Sequence, residues 1–270
     1  MSAVLTKGGH ELPALDTSHT KHPPFLRLVS VELRKMMDTR AGLWLVISMA
    51  ALTAIVMTIQ LIVGLTQDIN IKYADFIAGT TYSIGLLLPI LGILSLTSEW
   101  GQRTAMVTFT LEPHRWRIIA AKLACVVAIA IASVAVALVL GTVANALFGA
   151  FGGTADWDFG VERLAGFAIL QVLGVLTGFA LAALLLNTPG AIVVYFVYSF
   201  VLPTLFAIGA ELVGWINDIQ PWVDFGDAQL PLGEWEWAKN DAAQLVVTSL
   251  IWLVLPLAIG LWRVLRAEVK

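Results

Sequence analysis

The residues best suited to specific chemistry gather in one segment of this 270-residue chain, 98–122. It opens with Ser98-Glu99-Trp100 and passes through Arg103-Thr104. It reaches a break at Leu111-Glu112-Pro113 and continues through Arg115, Arg117 and Lys122 into an apolar run. Between Thr104 and Pro113 the spacing predicts a short helix with Met106, Phe109 and Thr110 on one side. Exposed Met and Phe beside charged residues suit docking of another protein better than bond making.

Catalytic and metal-binding patterns are missing elsewhere. The chain has no G-x-x-x-x-G-K-[ST] phosphate loop, no H-E-x-x-H, no C-x-x-C and no G-x-S-x-G. A T-V-G-Y-G ion filter is also absent. His10, His19 and His22 sit in a polar stretch that makes a poor metal cage, and Cys125 is the single cysteine. The expectation is a chain with no catalytic residue, no metal and no cofactor of its own.

Composition sets the solvent in which these residues must be placed. Of the chain, 59% is hydrophobic and only 13% charged, against about 25% charged in an ordinary soluble domain. Six runs are long and apolar enough for helices across a bilayer core: 43–65, 76–97, 123–147, 164–186, 191–212 and 245–264. None alternates in polarity as barrel strands do. The fold class is therefore an all-α polytopic membrane protein of six transmembrane helices. Residues 1–24 read as a flexible cytoplasmic tail and 25–270 as the membrane domain. Residues 25–42 read as an amphipathic helix lying along the inner leaflet, with Leu26, Val29, Leu33, Met36 and Met37 at helical spacing and Arg27, Arg34, Lys35, Asp38 and Arg40 largely between them.

Charge fixes the expected orientation. With both termini in the cytoplasm, 13 of the 16 Lys and Arg residues lie inside, and only Lys72, Arg163 and Lys239 outside. The largest outer segment, 214–241, carries six acidic residues together with Trp215, Trp222, Trp235 and Trp237. It reads as a stretch anchored at the outer leaflet, or as a surface facing a substrate.

No Asp, Glu, Lys, Arg or His lies deep in the spans; Glu99 and Glu211 stand at span ends. That disfavours an ion-coupled transporter or proton pump. Uncharged polar residues do occur, and they serve as interhelical hydrogen-bonding groups or line a path. Tyr195, Tyr198, Ser199 and Thr204, around Pro203, are the candidates for such a path. Gly174 and Gly178 make a small-xxx-small pair, and Pro89, Pro203 and Pro256 should bend their helices and free carbonyls that need partners.

The segment 98–122 resembles the first inner loop of permease subunits from ABC-2 type ATP-binding-cassette exporters. The matching positions are Glu99-Trp100, Arg103-Thr104, Pro113, Arg115 and Lys122, with Leu111-Glu112-Pro113 one residue tighter than the commonest spacing. The layout over roughly 25–270 is also similar: an amphipathic connecting helix, six spans, and a large outer segment before the sixth.

The resemblance implies that 98–122 is a coupling loop seated on a separate ATPase subunit. Glu99, Arg103, Thr104, Met106, Phe109, Pro113 and Arg115 would form that contact. It further implies ATP and Mg in the partner ATPase, a second permease copy or homologue, membrane lipid as surroundings and no nucleic acid. The location would be the cytoplasmic membrane, and segment 214–241 would form re-entrant helices capping the exit. The cargo would be amphiphilic or hydrophobic: a drug, antibiotic, peptide or lipid. Two other classes fit the composition. A membrane-embedded lipid-modifying enzyme would need clustered carboxylates or histidines at one face, and a non-transporting assembly or immunity factor would need no ATPase.

Overall fold

The computed structural model describes residues 23–67, 69–102, 104, 106, 108, 110 and 114–266. Among these residues the regular structure is helical, with no strand. Six helices are long and apolar enough to cross a bilayer: α2 (Arg40–Thr66), α3 (Tyr73–Gly101), α4 (Arg115–Ala150), α5 (Val161–Leu185), α6 (Thr188–Leu212) and α10 (Asp241–Arg266). They are preceded by the amphipathic α1 (Phe25–Asp38). Three short helices, α7 (Gly214–Val223), α8 (Phe225–Ala228) and α9 (Leu230–Glu234), lie between α6 and α10.

The helices are unequally covered by protein. In its most apolar stretch α3 is 61% buried, whereas α2 and α6 are only 11% buried. Trp44, Ile55, Ile59, Val193 and Leu205 are all more than half exposed. An apolar surface of this extent needs lipid around it. The core runs through α3, α4 and α5, with Leu88, Ile93, Val126, Ala130, Val175 and Phe179 shielded from solvent.

Close approach of α3 and α5 depends on glycine. A Cβ added at Gly92 would stand 2.5 Å from the Val175 carbonyl oxygen, and one at Gly178 would enter the Pro89 carbonyl. The Gly174/Gly178 pair is therefore part of a real interface, although only Gly178 is in tight contact. A Cβ at Gly166 would likewise run into the Leu232 carbonyl, which places α9 flat against α5.

Several boundaries differ from those read in the sequence. The amphipathic helix ends at Asp38. Thr39 is extended, and its hydroxyl accepts from Gly42 N–H at 3.2 Å to begin α2. The fourth helix begins at Arg115, eight residues before the apolar run, and its 36 residues extend about 54 Å. Lys122 thus lies two turns inside a helix and not at a loop end. Segment 214–241 does fold into short helices, and α7 carries no buried residue.

The three span prolines are accommodated in two ways. Pro203 and Pro256 each follow a π-helical segment, Val197–Val201 and Leu250–Val254, which absorbs the mismatch at the carbonyls they leave unpaired. Pro89 sits in an uninterrupted α3 and deprives Gly85 of its usual N–H partner. The Tyr195 hydroxyl supplies that bond, donating to the Gly85 carbonyl at 3.0 Å and lying 3.3 Å from that of Leu86. Tyr195→Phe should therefore cost about 1–3 kcal/mol by leaving a carbonyl unsatisfied in an apolar setting. Thermal unfolding in detergent, wild type against variant, measures it; an unchanged midpoint would show that Gly85 needs no partner.

Candidate functional site

Four charged side chains meet at the end of the bundle that holds α1. Lys122 Nζ on α4 is 2.5 Å from Glu32 Oε2 on α1 and 3.2 Å from Glu99 Oε1 on α3. It also donates to the Ser95 carbonyl at 3.0 Å. Lys35 Nζ on α1 is 2.8 Å from Glu32 Oε1 and 2.9 Å from Glu99 Oε1. Glu32, Glu99 and Lys122 are buried, at 5%, 9% and 4% exposure. The Lys122 ammonium makes two hydrogen bonds and a further ion pair to Glu99, the kind of pairing a buried cation requires.

Local sequence explains how the cluster assembles. On α1, Glu32 and Met36 are one turn apart and form the buried face, while Leu26, Leu33 and Met37 are exposed. The helix thus packs on the bundle through an acid flanked by Val29 and Met36. Cys125 on α4 contributes its thiol to the Val29 carbonyl at 3.1 Å. Burial opposes the charge on Lys35, but hydrogen bonds to Glu32 and Glu99 and the charges of those two groups outweigh it, so its pKa lies above the ordinary 10.5. Beside the cluster is a cavity of about 600 Å³, lined by all four charged residues and by Met36, Ala41, Leu91, Leu94 and Thr104.

The cluster brackets segment 98–122. Glu99 is at its start and Lys122 at its end, and α1 grips both. Other bonds tie the same end of the bundle. Arg115 donates to the Val264 and Leu265 carbonyls near the end of α10, Arg263 to the Leu184 carbonyl, and Thr188 to the Thr97 hydroxyl at 2.8 Å.

The candidate docking residues divide accordingly. Glu99 is engaged within the chain, Arg115 holds α10, and Thr104 and Met106 are exposed. Arg103, Phe109 and Pro113 lie outside the described residues, as do His10, His19 and His22. Sequence reasoning missed that Lys35 pairs with Glu99 and that Glu32 shares both lysines with it. The available signal was a single acid inside the apolar stripe of an otherwise basic amphipathic helix.

The candidate path residues also divide. Tyr195, Tyr198 and Ser199 line one cavity of about 280 Å³ with Thr81, Tyr82, Pro89 and Phe200, and Gly226 and Gln229 are part of its wall. Thr204 is not part of it; its exposed hydroxyl donates to the Phe200 carbonyl of its own helix at 2.7 Å. The Tyr198 ring packs 5.1 Å from that of Trp252, centroid to centroid, bringing the two π-helical segments together. Trp252 Nε1 in turn donates to the Val223 carbonyl at 2.7 Å, fastening the end of α7. Among the described residues no group of three or more His, Cys, Asp or Glu could hold a metal ion. Compared with protein-family models and with curated proteins, the chain matches none.

Proposed function

We propose that this chain is the membrane-spanning permease subunit of an ABC-2 type exporter, moving an amphiphilic or hydrophobic cargo across the cytoplasmic membrane. A separate ATPase supplies ATP binding and Mg, and a second permease copy or homologue completes the pathway. In this reading both termini and segment 98–122 are cytoplasmic, α1 lies along the inner leaflet, and 214–241 covers the exit.

The observation that carries the reading is the buried cluster Glu32–Lys35–Glu99–Lys122. A loop that receives force from a partner must have roots that move with the spans. Here both roots are joined to each other and to α1 by ion pairs; those of Lys122 are shielded from water and stronger than the same pairs at a surface, and those of Lys35 are half exposed. A loop serving only to set topology needs no such anchoring. The exposed Leu26, Leu33 and Met37 on an adjacent face of α1 suit contact with lipid.

The test is purification in mild detergent from the native host, followed by mass spectrometry of the proteins that accompany the chain. A Walker-type ATPase should be recovered with the wild type. Met106→Asp places a charge on a side chain that is 48% exposed and should abolish recovery without lowering thermal stability. Absence of any ATPase from the wild-type preparation under several gentle conditions would overturn the reading.

A further inference from the structure

We propose that the 280 Å³ cavity beside Tyr198 binds the compact ammonium head of a cationic amphiphile, whose chain remains in the surrounding lipid. As a statement about cargo this rests on the exporter reading; as a statement about binding it does not.

The walls define the chemistry. None of the lining residues carries a formal charge, and four of them, Tyr82, Tyr195, Tyr198 and Phe200, are aromatic. Aromatic side chains lining an uncharged space attract a weakly hydrated organic cation, and a quaternary ammonium is the usual guest of such a site. The volume is just below the span for whole small-molecule ligands, about 300–1,000 Å³, and suits a head group more than a complete amphiphile. Tyr82 and Phe200 are 79% and 52% exposed at the lipid-facing rim, so a chain can leave sideways without crossing protein.

The covering segment adds a sign. Gly226 is part of the lining, and its N–H donates to Asp224 Oδ1 at 2.9 Å. Asp224 is 3% exposed. Asp227 and Asp241 stand close enough that burial, then Asp224, then Asp241 raise the Asp227 pKa above its ordinary value. None of the three makes an ion pair among the described residues. The Gly226 and Asp227 N–H groups that Asp224 caps offset its charge in part, but no cation pairs with it among the described residues, so the field above the cage favours a cation over an anion. The 600 Å³ cavity at the other end differs: two lysines and two glutamates line it, and it has no preferred sign.

The experiment uses the purified full chain in dodecyl maltoside with two probes of nearly the same shape. One is the trimethylammonium derivative of diphenylhexatriene and the other is its neutral parent. Fluorescence anisotropy should show saturable binding of the cation, displaced by dodecyltrimethylammonium, and binding of the neutral probe weaker by about tenfold. Phe200→Leu and Asp224→Asn should each weaken the cation about three- to tenfold and leave the neutral probe unchanged. Asparagine still caps α8, so the second variant retains the fold. Equal binding of the two probes by the wild type overturns the proposal, as does a parallel loss of both in the variants. Because no ATPase is present, failure here is separate from failure of the co-purification test.

Discussion

Lys122→Met is expected to destabilise the folded chain by about 3–5 kcal/mol, the cost of breaking a buried ion pair from one side. The variant would leave Glu32 and Glu99, both buried, with Lys35 as their one cationic partner among the described residues. Loss of Lys35 leaves the same formal imbalance, yet its effect should be below about 1 kcal/mol. The difference lies in water. The Lys35 side chain is 42% exposed and that of Lys122 only 5%, so solvent can replace the first ammonium and not the second.

Pairing Lys122→Met with Glu32→Gln should recover much of the loss, since the uncompensated carboxylate is then gone. Thermal unfolding in detergent of the wild type, the two single variants and the double variant completes the cycle. If Lys122→Met melts like the wild type, the cluster does not hold α1 to the bundle.

The same cluster has a pH signature. A lysine whose folded pKa is raised contributes stability that is fully present below its unfolded value. That contribution is lost as pH rises through the folded value. For Lys35 the window therefore opens above 10.5, and this group should leave the melting temperature flat across the neutral range.

The spans were legible in the sequence because lipid imposes one rule over some twenty residues at a time, and six runs obey it. The need to satisfy carbonyls freed by proline was legible too, since it follows from a missing N–H at a known position. Its solution was not. That Tyr195 reaches Gly85 depends on how α6 leans on α3, and no spacing within either helix encodes that. Glu32 was overlooked for a related reason. Periodicity marked Leu26, Val29, Leu33, Met36 and Met37 as one apolar stripe for the inner leaflet; Leu26, Leu33 and Met37 are exposed, but Met36 is buried with Glu32 against the bundle. Near a membrane an apolar stripe has two possible partners, protein or lipid, and hydrophobicity alone does not choose between them. Thr204 shows the converse: its polarity marked it for the path, whereas a bond to its own helix satisfies it.

Gly178→Ala should cost about 1–3 kcal/mol, and Gly178→Leu more, although both substitutions improve helix propensity. The added Cβ at position 178 enters the Pro89 carbonyl, and neither side has slack. Pro89 is fixed in α3 by its ring, and the carbonyl one turn before it is held by Tyr195. On the facing helix, Val175 and Phe179 already press against Gly92. A shift that relieved Gly178 would have to separate α3 from α5 along the tightest seam of the bundle.

Gly174 is the control, one turn away on the same face. A Cβ there meets only the Pro89 ring at 3.6 Å, ordinary contact, so Gly174→Ala should be neutral or slightly stabilising. Separation of α3 from α5 would also open the cavity, whose wall includes both Pro89 and Gly174. Gly178→Ala should therefore weaken the cationic and neutral probes alike, unlike Asp224→Asn. Equal melting temperatures for the alanine variants at 174 and 178 would mean that backbone contact does not set the spacing of these helices. In that case the fit of Leu88, Val175 and Phe179 would have to set it alone.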